Sequence, residues 1–181
     1  MKVIKNQIEG LLEIIPDVYQ DDRGWFMEFT KRSNLVKAGI NHDFLQDNLS
    51  FSRKDVIRGL HFQRQPFGQA KLVTVISGSV LDVAVDLRKD SPTYLKHVVV
   101  HLDSGKRNMF YIPEGFAHGF RAITDTVFFY KCSAEYHPDA DAGLRWNDPT
   151  LGIDWGIDFP SISAKDALLP LLEDLVSKSI V

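Results

Sequence analysis

The chain has 181 residues, 44% of them hydrophobic, with 21 basic and 24 acidic residues and a formal net charge of -3. That size supports one globular domain with a sizeable core. The near balance of charge gives no reason to expect nucleic acid or an anionic membrane as the main partner. The single cysteine, Cys132, excludes an internal disulfide and fits a reducing compartment. The stretch Met1 to Gln7 lacks the long apolar segment of a signal peptide, and no later run is long enough to span a bilayer. The expectation is a soluble, cytoplasmic protein.

Residues 8–19 alternate loosely and contain Pro16, which predicts an edge strand or arm. Asp21 to Gly24 is a turn by composition, and Trp25 to Phe29 reads as a strand. Arg23, Phe26 and Glu28 offer a cation, an aromatic face and a carboxylate, which suit a nucleotide or, more plainly, a salt-bridged edge strand. Ser33 to Ala38 predicts a short helix with Gly39 as its C-cap. Phe44 to Ser52 is extended and polar for an interior strand, with Gln46 and Asn48 on one face. Carboxamides at a barrel mouth either recognise a polar ligand or satisfy loop backbone, and both readings stand at this point.

Val56 to Gln63 favours extended structure, and Lys71 opens a second strand that runs to Ser77 before Gly78. A His and a Lys on adjacent strands, His61 and Lys71, suit proton abstraction beside a carbonyl: the imidazole takes the proton and the ammonium stabilises the enolate. Alternation puts His61 and Arg58 on opposite faces. If both serve one pocket, the strand is irregular between them, and Gly59 is the natural place for a bulge. Val80 to Leu87 alternates as a half-buried strand carrying Asp82 and Asp86 on the polar side. His97 to Leu102, Phe110 to Ile112, Phe116 to Ala122 and Val127 to Cys132 are further strands. His118 shares a face with Phe116 and Phe120, as a satisfied core histidine would; Tyr130 shares one with Phe128. Ser163 is a helix N-cap with Asp166 at N3, Pro170 limits that helical turn, and Leu171, Leu172, Leu175 and Val176 suit a terminal amphipathic helix.

Short strands separated by turns predict an all-β protein. The expected layout is a single domain over residues 1–181, with an N-terminal arm at about 1–30 and a C-terminal helical segment at about 161–178.

These residues resemble a known family. Asp22-Arg23-Gly24, Gln46-Asp47-Asn48, Arg58 to Gln63, Lys71-Leu72-Val73, Asp82 to Arg88, Ile112 to Phe120, Tyr130-Lys131-Cys132 and Ser163 to Asp166 stand in the order and spacing of the dTDP-4-dehydrorhamnose 3,5-epimerases, the sugar-nucleotide epimerase branch of the cupins. The similarity runs from about Ile14 to Asp166. It implies a cupin-type antiparallel jelly roll with a short C-terminal helical segment. It also implies epimerisation of a dTDP-4-keto-6-deoxyhexose at C3 and C5, with no cofactor. His61 would be the general base, paired with Asp166. Tyr130 would be the general acid and Lys71 the enolate stabiliser, with Arg58 and His118 lining the same pocket. Arg23, Phe26 and Glu28 would grip the nucleotide from the exchanged N-terminal arm of a homodimer partner. Gln46, Asn48, Asp141 and Lys165 would complete the ligand contacts, and Tyr136 would help settle which carbons are inverted. Two positions depart from the family: Asp141 stands where Glu is common, and Gly156 follows Trp155 where Pro is common.

Alternatives remain at this point. A mono-epimerase acting at C3 or C5 alone would carry a near-identical pocket. A metal-dependent cupin typically has a His-x-His pair, but Gln63 stands two residues after His61, and Gln is a poor ligand for a transition metal. A non-catalytic sugar-binding jelly roll does not require His61, Lys71, Tyr130 and Asp166 together. No Gly-rich dinucleotide fingerprint follows a strand, consistent with no NAD.

Overall fold

The computed structural model describes residues 1–178 and 180. The chain begins with β1 (Lys2–Lys5) and β2 (Leu12–Ile15), then a hairpin of β3 (Val18–Asp21) and β4 (Gly24–Met27), then α1 (Arg32–Lys37). The main strands follow as β5 (Gln46–Ser52), β6 (Val56–Gln63), β7 (Lys71–Ser77), β8 (Ser79–Asp86), β9 (His97–Asp103), β10 (Met109–Ile112), β11 (Phe116–Ala122) and β12 (Thr126–Cys132). A 3-10 turn at Pro138–Ala140 leads to β13 (Asp141–Gly143), β14 (Ser161–Ile162), α2 (Ala164–Ala167) and α3 (Leu172–Ser177).

One six-stranded antiparallel sheet has the order β1-β2-β10-β7-β12-β5. The second runs β13-β6-β11-β8-β9, with β14 added parallel to β6. The two sheets face each other as a jelly roll. Their inner faces share one apolar cluster: Val73, Val75, Phe110 and Phe128 from the first sheet meet Val80, Ala84, Val100 and Phe120 from the second. A fully buried side chain such as Phe110 contributes about 1.5–3 kcal/mol by removal from water.

The outer face of the second sheet is also covered, and that of the first in part, which the sequence pattern did not convey. On the second sheet Leu60, Val83 and Val85 are roofed by Leu144, Leu151, Trp155, Leu172 and Leu175 of the C-terminal tail. On the first sheet Leu12, Ile14, Leu72 and Met109 lie beneath Leu35 and Ile40. β8 is therefore buried on both faces, not half-buried, and Asp82 and Asp86 are wholly enclosed. Within α3, Leu172 and Leu175 are buried as expected, but Val176 is exposed. β2 is an inner strand of its sheet, because β1 takes the edge. α1 ends as expected at Gly39, whose φ of +86° only glycine adopts without cost.

The expected irregularity at Gly59 is present. A step of three residues along β6, from His61 to Arg58, is matched by a step of two along β11, from His118 to Phe120. Gly59 fills this bulge at φ +122°. A Cβ there would lie 2.6 Å from the Gly119 Cα and 2.9 Å from the His118 carbonyl oxygen. The bulge lets Arg58 leave its own sheet and reach β5 on the other: its guanidinium donates to Ser52 Oγ and to the Phe51 carbonyl, both at 2.9 Å.

Candidate active site

A cavity of about 380 Å³ opens between the sheets. His61 enters it from β6 in the second sheet; Lys71 and Tyr130 enter from β7 and β12 in the first. The base candidate and the acid candidate thus stand on opposite walls.

His61 Nε2 lies 2.8 Å from Asp166 Oδ1. Asp166 is buried, and its second oxygen accepts the N–H of Gly59 at 3.2 Å, the donor that the bulge removes from the strand ladder. Ser163 caps α2 by accepting the Asp166 N–H at 3.0 Å. Asp166 is thus the N3 residue the sequence indicated, but its carboxylate turns away from the cap and toward the imidazole. Burial pushes that carboxyl up; the His61 hydrogen bond and charge, the Gly59 N–H and Lys165 outweigh it and hold the group below the usual carboxylate range. A carboxylate on Nε2 stabilises the tautomer with its proton there, leaving Nδ1 as the basic nitrogen.

Lys71 sits opposite Cys132 in the β12–β7 register. Burial pushes its ammonium down, against the opposing pull of Cys132, Asp82 and Asp141. Burial and Cys132 push the Tyr130 hydroxyl up, and the Arg58 charge works the other way. Behind this wall, His118 Nε2 meets both oxygens of Asp82, at 3.0 and 2.9 Å, and its ring stacks on Phe128 at 6.2 Å. Burial raises the Asp82 carboxyl, with His118 and Lys71 opposing.

Not every expected residue reaches the cavity surface. His118 is 7% exposed and lies behind the lining rather than in it, because Asp82 draws its ring inward. Arg58 is drawn to β5 and is also outside the lining. Gln46, Asn48, Tyr136, Asp141 and Lys165 all line the cavity, with Lys165 Nζ 2.5 Å from Asp141 Oδ2. The Gln46 Oε1 already accepts the Tyr136 N–H at 2.7 Å, so of the two readings of this strand's carboxamides, loop support holds for Gln46. Arg23, Phe26 and Glu28 lie away from the cavity on and beside the β3–β4 hairpin, where Arg23 pairs with Asp21 and Glu28 with Lys31. Sequence reasoning missed Asp82, Gln63, Gln69 and Cys132. The face of Asp82 was legible from alternation, but its partner His118 was not. Among the described residues, no three His, Cys, Asp or Glu side chains converge as a metal-binding set, and no helix is long and apolar enough to cross a membrane.

A jelly roll that brings a carboxylate-backed imidazole, a hydroxyl and an ammonium to one cavity is built for proton transfer at carbon, the chemistry of the cupin-type isomerases. A family model described as dTDP-4-dehydrorhamnose 3,5-epimerase matches residues 5–174. The dTDP-4-dehydrorhamnose 3,5-epimerase of Methanothermobacter thermautotrophicus is 47% identical over 169 residues, covering 91% of each chain. The Bacillus anthracis dTDP-4-dehydrorhamnose 3,5-epimerase, solved with TDP and pyrophosphate bound, superposes with a TM-score of 0.93 at 42% identity, over 94% of this chain and 99% of that one. A Legionella pneumophila dTDP-6-deoxy-D-glucose-3,5-epimerase, solved with dTDP-4-keto-L-rhamnose, gives 0.93 at 41% identity, over 99% and 96%. The chain belongs to the dTDP-4-dehydrorhamnose 3,5-epimerase family and is an isomerase acting on carbohydrate.

Proposed function

We propose that the chain converts dTDP-4-dehydro-6-deoxy-D-glucose to dTDP-4-dehydro-L-rhamnose by inverting C3 and C5, within dTDP-rhamnose or related deoxysugar biosynthesis. The observation that carries the residue roles is the opposition of His61 and Tyr130 across one cavity that also holds Lys71. The protons at C3 and C5 flank the C4 ketone. His61 Nδ1 removes one of them, and the C–H electron pair moves into the ring as O4 becomes an enolate oxygen. The Lys71 ammonium stabilises that oxygen, and Asp166 stabilises the imidazolium. Tyr130 then delivers its proton to carbon from the other wall, the enolate collapses to the ketone, and the centre is inverted. Burial keeps the Tyr130 hydroxyl protonated until that step, and the Arg58 charge favours the phenolate left behind.

Asn48, Asp141 and Lys165 contact the sugar nucleotide where the cavity opens, with Gln46 beside them. Arg23, Phe26 and Glu28 hold the nucleotide of a second subunit in a homodimer. Two features support that exchange. Among the described residues the β3–β4 hairpin pairs with no other strand, and Tyr19, Trp25 and Phe26 on it are exposed; an isolated hairpin is marginal in water. The outer face of β5 and its neighbours also leaves Leu49, Phe51 and Ile76 more than half exposed, an apolar patch fitted to a second copy. A cytoplasmic setting agrees with the single thiol.

Product NMR on dTDP-4-dehydro-6-deoxy-D-glucose in deuterated water tests the reaction: deuterium at both C3 and C5 with the L-configured product is expected, and exchange at one carbon alone makes the protein a mono-epimerase. Co-expression of His61→Asn with Arg23→Ala tests the shared site. Mixed dimers then contain one site with an intact base and an intact arm, so activity returns to about a quarter of wild type if chains pair at random. A fully active monomer rejects the exchange.

A further inference from the structure

On the edge away from β11, β6 has a divided partner. β13 pairs with His61 to Gln63 at one end, and the parallel β14 pairs with Val56 and Ile57 at the other. Between them the Gly59 N–H donates to Asp166 Oδ2, so the carboxylate that meets His61 also fills the gap in the ladder. β14 has only two residues, and parallel pairing is the less stable kind per residue. The segment leading into β14 is held by Arg121 on β11. Its Nη1 donates to the Trp155 and Gly156 carbonyls, both at 2.8 Å, and its Nη2 donates to Asp55 Oδ1 at 2.8 Å. The side chain is 13% exposed, and its Nε is buried without a partner among the described residues, so the two terminal nitrogens make all three bonds. Gly156 admits this close approach: its φ is +64°, and a Cβ there would lie 3.1 Å from Arg121 Nη1. Asp55 is fixed in turn. Its N–H donates to the Ala122 carbonyl at 2.8 Å, and its carbonyl accepts the N–H of Ser161, where β14 starts, at 2.9 Å.

We propose that Arg121 is a positioning residue: by tying the tail at Trp155 and Gly156 to the Asp55 turn, it fixes where β14 lies on β6 and so where Asp166 meets His61. The proposal rests on the epimerase reading above, in which Asp166 supports the base. One guanidinium joins three segments: the strand that bears it, the turn before β6 and the tail. Asp55 closes the clamp, because its carboxylate takes Arg121 and its carbonyl takes Ser161. The apolar packing of Trp155, Ile157 and Ile162 holds the tail down, but hydrophobic burial is non-directional and sets no register. After Ser161 only Ile162 precedes Ser163, which caps α2, and α2 presents Asp166. A shift at the start of β14 is therefore carried through one capped helical turn to the carboxylate. The 2.8 Å contact with His61 tolerates little of it, since misplacing a catalytic group by about 1 Å can cost about 10²-fold. Arg121 lies outside the cavity lining, so its effect runs through Asp166.

The test reads amide hydrogen exchange by NMR alongside turnover. It compares wild type, Arg121→Met, Asp166→Asn and the double variant Arg121→Met/Asp166→Asn. Arg121→Met keeps an apolar stem and deletes the donors. Exchange at the Ser161 and Gly59 amides is expected to speed by about tenfold or more in Arg121→Met. The Leu60 and Leu144 amides, which bond to each other's carbonyls on the β13 side, should change far less. We expect kcat to fall by about tenfold with KM within about twofold, and to fall no further when Arg121→Met is added to Asp166→Asn. A residue that merely supports the fold speeds all four amides alike and lowers kcat equally in both backgrounds. That pattern, or unchanged exchange at Ser161 and Gly59, overturns the proposal while the epimerase function stands. A wild type that does not act on the sugar nucleotide rejects the function, whereas the Ser161 and Gly59 amides still decide whether Arg121 seats Asp166. Should Arg121→Met lack a cooperative thermal transition, Arg121→Lys takes its place. A single ammonium cannot reproduce the guanidinium fork, so the same two amides are expected to speed by about threefold or more.

Discussion

His61 Nε2 lies 2.8 Å from Asp166 Oδ1, although the two residues are 105 positions apart. Asp166 serves two purposes at once, and they are separable. Its backbone N–H is the cap contact to Ser163, and its carboxylate meets the His61 ring, which under the proposed function it orients. We expect Asp166→Asn to slow exchange at the proton-bearing carbons by about 10²-fold or more, because the imidazole loses both its orientation and the partner of its protonated form. Ser163→Ala removes only the cap and should cost about 1 kcal/mol of stability with little change in exchange. Exchange at the wild-type rate in Asp166→Asn would leave Asp166 as a cap residue alone.

Tyr130→Phe keeps the ring that packs near Phe128, at 5.9 Å, and deletes the hydroxyl. The expected outcome is epimerised product lowered by roughly 10²–10⁴-fold, while deuterium still enters at the carbon that His61 deprotonates. NMR of recovered substrate and product reads both quantities. Normal yield of inverted product rejects Tyr130 as the acid and turns attention to Tyr136.

The buried Lys71 ammonium has its pKa pushed down, so it loses its proton below the ordinary lysine range. A rate that needs the cation should therefore fall on the alkaline side at lower pH than an exposed lysine would give. The Tyr130 hydroxyl is pushed the other way, up from its ordinary range. Asp82 pulls the Lys71 pKa upward, so Asp82→Asn should move the alkaline limb of kcat to lower pH. The limb staying in place in Asp82→Asn excludes Lys71 as its source. Lys71→Met should lower kcat by about 10²–10³-fold with a smaller change in KM.

Asp86 supplies an acid-stability test away from the chemistry. Burial raises its carboxyl, but bonds from Arg88, Ser91 and Thr93 overcome this and bring it from 3.8 to about 2. A pKa lowered by folding adds stability above the unfolded value, and that contribution fades as pH falls through the folded one. Asp86→Asn should therefore cost about 2 kcal/mol at neutral pH. Its deficit against wild type should shrink as pH falls from 3.8 toward about 2. Urea unfolding at a series of pH values measures this. A deficit that grows toward low pH has the wrong sign for the linkage.

Local pattern was enough for the eight main strands from β5 to β12, for the cap at Gly39 and for the bulge at Gly59. Each depends on backbone preferences that a residue and its neighbours settle between themselves. The grouping of His61, Lys71 and Tyr130 at one cavity, with Asp166 beside His61, was legible through motif resemblance. What alternation did not convey was the covering of each face. Val80 to Leu87 alternates as if its Asp82 side met water, yet that side faces the sheet interior, where Asp82 meets His118, and the C-terminal tail covers the opposite side at Val83 and Val85. Alternation showed Gln46 and Asn48 pointing the same way, but not that Gln46 would spend its oxygen on the Tyr136 peptide. The period of a strand fixes the direction of a side chain relative to its own backbone. Which group it meets is decided by segments distant in sequence, whose approach follows from burying the inner faces of the two sheets and the apolar parts of their outer ones, and only the tertiary structure settles those meetings.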